Sequence, residues 1–232
     1  MTIIEAKSPG DAWVKVSKYL LASGSKVGNL TEELNVVTEI TEFESDDWFD
    51  GHFREIMGDD RIDFAKTVTF LKPEPKKSDN AFFDAEEGLD YKFIKDHYHQ
   101  SYWGRMVSWR GEFNQIENVI KILSRGQAVK RCELIIFDPT KDARNPYSQP
   151  CMVMIDLKPR NGKLYLTSVL RSNRVSKSGY ADYTALTEMG HFLAEQSGLE
   201  LGKVTTLACS CHIGEMDREK KKTIKLLEVL GK

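Results

Sequence analysis

From residue 130 to residue 213 the chain passes through three strand patterns, one long helix pattern and a further strand pattern, and this order most constrains the fold. KRCELIIF (130–137), PCMVMIDLK (150–158) and KLYLTSVLR (163–171) carry the apolar and β-branched runs expected of strands. Arg160-Asn161-Gly162 supplies the turn chemistry that joins the last two as a hairpin. YADYTALTEMGHFLAEQS (180–197) sets Leu186, Met189 and Leu193 on one stripe and stops at Gly198, which predicts a helix. VTTLACSCHI then alternates as a strand, and a terminal helix runs to Leu230.

The amino-terminal half adds to this plan. PGDAWVKVSKYLLAS (9–23) places Trp13, Val16, Tyr19 and Leu20 at helical spacing before Gly24. LNVVTEITEF (34–43) alternates as a strand, and a short helix follows through 44–57, ending near Gly58-Asp59-Asp60. The polar stretch 72–90, with Pro73 and Pro75, reads as a surface excursion. EFNQIENVIKILS (112–124) is helical, with Phe113, Ile116, Val119, Ile120 and Leu123 on its apolar side. The mixture of helices and strands is α/β, and 232 residues with 41% hydrophobic content suit a single domain spanning 1–232.

A formal charge of -2 provides no global field for nucleic acid or an anionic membrane, so any anion site is local. The amino terminus has no basic, apolar and small-residue leader pattern, no apolar run approaches membrane-spanning length, and a cytoplasmic protein is expected. Four cysteines are too few for a disulfide scaffold in a chain this long. Cys209-x-Cys211-His212 invites a zinc reading but lacks a second ligand pair. Alternate side chains on one face of a buried strand explain it better, and no metal is expected. The lysines at 220–222 read as a solvated helix face.

Cys151 follows Pro150 at a loop-to-strand junction. A cysteine there becomes a nucleophile only with exposure and a positive neighbour. Arg171-Ser172 lies twenty residues on, Asp182 eleven further, and His212 in the strand after the long helix. This ordered set resembles the thymidylate synthase family, and the order of elements from about 112 to 217 follows that family.

The resemblance implies an α/β (α+β) fold whose large mixed sheet is covered by helices on one face and packs against a second subunit on the other. It implies that Cys151 adds to C6 of a pyrimidine nucleoside monophosphate, so that C5 takes a one-carbon unit from 5,10-methylenetetrahydrofolate, which calls for a depressed thiol pKa. Arg171 would hold both the phosphate and the thiolate, and Ser172 would donate to the phosphate. Lys130 and Arg131 would reach the partner's phosphate site in a homodimer, and Lys26 would add a phosphate contact. His212 would lie near base and sugar. Uracil-specific members carry asparagine where Asp182 stands. A protonated Asp182 can instead pair with N3 and the amino group of cytosine, or an ionised one with the amino group alone, and aspartate here resembles the cytidylate hydroxymethylases.

Other positions depart from the pattern. The family tyrosine that helps remove the C5 proton falls on Trp103, which cannot act as a base, with Tyr102 beside it as a substitute. The family aspartate and Leu-Gly pair after Arg171-Ser172-Asn173 are replaced by Arg174 and Lys177-Ser178, and the sugar-contacting tyrosine by Gly214. The family glutamate should fall among Glu44, Asp46, Asp47, Asp50 and Glu55. The chain stops about fifteen residues after Asp217, a short end that would admit water to the site. The expected activity is hydroxymethylation of CMP or dCMP. Methylation of dUMP and a non-catalytic nucleotide-binding homologue are the alternatives.

Overall fold

The computed structural model describes residues 2–58, 102–126, 129–144, 149–214 and 217–232. In chain order the elements are β1 (Thr2–Ala6), α1 (Pro9–Ser23), β2 (Ser25–Val27), β3 (Leu30–Ile40) and α2 (Asp47–Met57). Then come α3 (Tyr102–Val107), α4 (Gln115–Leu123), β4 (Glu133–Ile135), β5 (Met152–Arg160), β6 (Lys163–Leu170) and β7 (Asn173–Arg174). A π turn (Val175–Gly179) leads into α5 (Tyr180–Gln196), followed by β8 (Glu200–Gly214) and α6 (Asp217–Val229).

One mixed sheet of order β1-β3-β8-β6-β5-β4 organises these elements. The pairs β1–β3 and β6–β8 are parallel and the others on this path antiparallel. β5 and β6 form the expected hairpin, with Asn161 (φ 53°) and Gly162 (φ 76°) both in the left-handed region a two-residue turn of this kind needs. β6 and β8 are parallel, so the chain must cross over between them, and α5 makes that crossover.

The period-2 pattern decides which sheet face is covered. Leu164, Leu166, Leu170, Ile155, Leu157, Val204, Ala208, Val36 and Ile40 point into the core with the helices, while Val37, Met154, Val169 and Leu207 on the opposite face stay half-exposed.

The α1 boundaries match the sequence because its start is capped. Ser8 Oγ accepts from the Asp11 amide at 3.1 Å, Pro9 opens the helix, and Asp46 accepts from both the Ser8 hydroxyl and the Gly10 amide. Trp13, fully buried in α1, donates its indole N–H to the Val175 carbonyl at 2.9 Å and so ties this helix to the π turn.

Several expectations shift. β3 begins earlier than residue 34, because Leu30 to Glu32 pair with β2 across Gly28-Asn29, and β1 and β2 were not foreseen. α4 starts at Gln115 after the Asn114 cap, so Phe113 lies outside the apolar stripe and is 48% exposed. Only Glu133–Ile135 of the 130–137 segment is strand, at the sheet edge. Cys209 is exposed and Cys211 buried, not alike. Beyond Ser210 the strand is flanked by β7 and packed by α6, so Cys211, His212, Ile213 and Gly214 are buried consecutively. The surface excursion at 72–90 lies outside the described residues. No helix among the described residues is long and apolar enough to cross a membrane.

Candidate active site

The candidate residues gather where β6 and β8 end and β5 begins. Cys151 sits at a bend immediately before β5 and is half-buried. Its carbonyl accepts from the Arg171 amide at 2.8 Å, which closes the β5–β6 ladder and brings residues twenty apart in sequence into contact. The Arg171 side chain folds back over the same bend, Nε donating to the Pro150 carbonyl at 2.9 Å and Nη2 to Gln149 at 2.8 Å. Two of its N–H donors thus fix the loop that presents the thiol.

Burial pushes the Cys151 thiol above its ordinary value, and nearby Asp182 adds to the rise; Arg171, Tyr102 and Lys177 pull in the opposite direction without cancelling it. The depressed thiol expected of a nucleophile is therefore not what this geometry gives. Desolvation of the sulfur outweighs the guanidinium.

α5 delivers Asp182 in its first turn, 5% exposed. Desolvation drives its carboxyl up to about 7, opposed by a hydrogen bond from Ser178 on the π turn. This turn, held by Trp13 from behind, is how the sequence brings Lys177 and Asp182 to one thiol and Ser178 to Asp182; π distortions of this kind often mark functional sites.

Position 102, not 103, brings its side chain to the bend that carries Cys151. The Tyr102 hydroxyl accepts from the amides of both Cys151 (3.0 Å) and Met152 (3.2 Å). Trp103, expected there, is buried among the apolar core residues. Adjacent aromatic residues at one helix start gave the sequence no means of choosing between them.

His212, 8% exposed, occupies a second group beside the first. Glu32 of β3 and Arg174 of β7 are its register partners on either side. Burial and Arg174 lower the imidazole pKa, with Glu32 and Glu219 opposing. Ser210 Oγ lies 3.4 Å from His212 Nδ1 and also bonds Glu32.

Arg174 Nε pairs with Glu219 Oε2 at 3.0 Å, Ser176 Oγ donates to the same oxygen at 2.9 Å, and the Gly214 amide donates to Ser176 Oγ at 3.2 Å. A Cβ on Gly214 would lie 2.7 Å from both Arg174 Nη2 and Glu219 Oε2. The missing side chain at 214 and the arginine at 174 are thus one substitution in space, which spacing along the chain could not reveal.

The remaining candidates stand further out. Ser172 is half-buried between Arg171 and Asn173. Lys130 and Arg131 are exposed just before the edge strand β4, and Lys26 is exposed on β2, opposite Thr31, whose other neighbour is Ile213. Of the carboxylates near α2, Asp46 caps α1 and Asp50 binds Arg54 at 2.8 Å and Tyr180 at 3.3 Å, while Glu44, Asp47 and Glu55 are exposed. Among the described residues no three His, Cys, Asp or Glu side chains group as a metal site.

The loop before Cys151 is braced by two forked ion pairs that sequence reading missed. Arg105 binds Asp142 at 2.6 and 2.9 Å, and Arg110 binds Asp138 at 3.1 and 3.0 Å. Burial would raise Asp138, but Arg110 and Thr140 outweigh it and hold the carboxyl at about 2.

Comparison with known proteins points to one family. A model of the thymidylate synthase family matches residues 65–225. A protein from Methanococcoides burtonii named "Putative thymidylate synthase" is 25% identical over 223 residues, 94% of this chain and 92% of its own length. A Methanothermobacter thermautotrophicus protein of the same name is 25% identical over 231 residues, covering 96% and 98%. One from Methanosarcina mazei is 30% identical over 133 residues, covering 57% and 60%.

Proposed function

The chain belongs to the thymidylate synthase family of one-carbon transferases acting on pyrimidine nucleotides, and on that premise we propose that it hydroxymethylates C5 of a cytidine monophosphate, CMP or dCMP, through a Cys151 adduct. The observation that carries this reading is Asp182, a carboxyl buried so deeply that its pKa stands at about 7. A neutral carboxyl has one donor and one acceptor, the complement of cytosine N3 and its amino group.

The same proton serves the chemistry. When the Cys151 thiolate forms its bond to C6, the C5–C6 electron pair shifts through C4 towards N3. An acid of pKa near 7 at N3 can meet that charge near neutral pH. Once C5 carries a methylene group and has lost its proton to solvent, water adds to that methylene carbon and the Cys151 thiolate leaves C6, which restores the C5–C6 double bond and gives the hydroxymethyl product. Arg171 and Ser172 would hold the phosphate, with Lys26 near it and His212 beside base and sugar. Trp103, set among the core residues, would act only by holding Tyr102 in register.

Methylenetetrahydrofolate is the proposed one-carbon donor and would supply the methylene group. Around position 174 the described residues do not fit a pterin, because the carboxylate there, Glu219, is already engaged by Arg174 and Ser176. The steps assigned to this chain therefore end at the base.

The half-exposed sheet face bearing Val37, Met154, Val169 and Leu207 supports a homodimer, with Lys130 and Arg131 reaching the partner's phosphate site. A single cytoplasmic domain over 1–232 completes the proposal.

The test is incubation with each pyrimidine monophosphate and the folate in heavy-oxygen water. A labelled hydroxymethyl cytosine nucleotide is expected, and its absence would refute the reading. Methylation of dUMP would instead yield dihydrofolate. The raised Cys151 thiol favours an inert nucleotide binder as the second reading; Cys151-dependent tritium release from a C5-labelled nucleotide eliminates it.

A further inference from the structure

In a sheet, residues in register on neighbouring strands stand side by side on one face. On the face covered by the helices, three consecutive rows run across β3, β8 and β6: Ile40–Val204–Leu166, Thr38–Thr206–Ser168 and Val36–Ala208–Leu170. The outer two rows are wholly apolar. The middle one carries a hydroxyl at every position, and each of its residues is 2% exposed or less.

Packing alone does not call for this row, because valine has the shape of threonine without its hydroxyl. A hydroxyl so deeply buried is tolerated when it is bonded, since an unmet one keeps the full cost of leaving water. Ser168 and Thr206 are register neighbours, yet neither side-chain oxygen has a hydrogen-bond partner, in each other or elsewhere among the described residues. Ser17, 0% exposed on α1, which packs over β3 and β8, is a further hydroxyl in the same layer without one.

We propose that this row seats an ordered water, hydrogen-bonded to Ser168 Oγ and Thr206 Oγ1 in the layer between sheet and helices. The chemistry selects water. Each hydroxyl both donates and accepts, neither is charged, and the flanking rows are apolar, so a small neutral molecule that also donates and accepts satisfies both. Serine and threonine reach less far from the sheet than the leucines and isoleucine beside them, and that difference in depth is the space the water takes. A buried water makes about three hydrogen bonds, and Ser17 is the remaining hydroxyl of this layer that needs one.

α5, the helix that carries Asp182, rests on β6 and β8, so the water is part of the seat of that helix. None of these hydroxyls belongs to the residues assigned to base, phosphate or thiol, and the proposal stands apart from the reading of the reaction.

The test needs no substrate. Oxygen-17 magnetic relaxation dispersion reads the waters that a protein holds for longer than its own tumbling time. Ser168→Ala combined with Thr206→Val removes both hydroxyls while nearly conserving shape. The dispersion amplitude is expected to fall by one long-lived water; an unchanged amplitude overturns the proposal and leaves the hydroxyls dry. Should the double variant not fold, a high-resolution crystal structure of the parent decides. A density peak within hydrogen-bond distance of both oxygens is expected, and its absence overturns the proposal.

Discussion

Replacing Asp182 with asparagine tests the site through a property of the empty protein. Burial raises the carboxyl to about 7 in the fold, far above the ordinary aspartate value of about 4, so the folded state keeps a proton that the unfolded chain loses. A raised carboxylate contributes stability that is fully present below the unfolded pKa and lost as pH rises through the folded one. A gap of this size corresponds to on the order of 4 kcal/mol in all, of which more than half falls between pH 5 and pH 8. Asparagine does not titrate. In urea unfolding without nucleotide, Asp182→Asn should therefore gain stability relative to the parent by about 2–3 kcal/mol on going from pH 5 to pH 8, other groups cancelling in the difference. The base preference should move with it. A mispaired hydrogen bond at N3 costs about 1–3 kcal/mol, so kcat/KM for the cytosine nucleotide should fall by roughly ten- to a hundredfold while uracil nucleotides gain. A stability difference constant across that pH range would refute the buried, proton-holding carboxyl and the base-reading argument with it.

Three further outcomes follow. Ser178→Ala removes the donor that opposes desolvation of Asp182, so the carboxyl should titrate still higher, seen as an upward shift of the alkaline limb in the pH dependence of the mutant's stability. Gly214→Ala should displace the tips of Arg174 and Glu219 at a cost of about 1 kcal/mol in thermal melting. With Arg174 displaced, the His212 imidazole should titrate closer to its ordinary value by NMR. Asp142→Ala takes from half-buried Arg105 its carboxylate partner, though not its bond to the Ile136 carbonyl, and takes an acceptor from the Asp138 amide at 2.7 Å, so it should destabilise by about 3–5 kcal/mol in urea unfolding.

The long periodic elements were legible because each has a local cause. α1 has its serine cap and proline, α5 its stripe and terminal glycine, and the β5–β6 hairpin its Asn-Gly turn. The strands that escaped were β1, β2 and β7, two to five residues long, which exist only because β3 or β8 lies beside them, and the short helix α3 escaped as well. The same distinction holds at the site. Cys151, Arg171, Asp182 and His212 could be found by order along the chain, whereas Tyr102 could be told from Trp103 only by the side of α3 that meets the strand. The π turn carried no signal at all, since its shape depends on a tryptophan 162 residues away.

The departures from the family pattern fall into two spatial sets with different consequences. Arg174, Gly214, Ser176 and Glu219 form one hydrogen-bonded unit in which each residue needs the others: the arginine tip occupies the volume a side chain at 214 would take, and the glutamate neutralises it. Changing one alone leaves a clash or an uncompensated charge, so this set resists conversion towards the pattern by single substitutions. Lys177, Ser178 and Asp182 form the other set, near the thiol, where each side chain acts on Cys151 or Asp182 through charge or a hydrogen bond. Substitutions there change pKa values more than packing. If the proposed function holds, base choice and thiol reactivity can therefore be altered at 178 and 182 one residue at a time, while the group around His212 changes only when 174 and 214 change together.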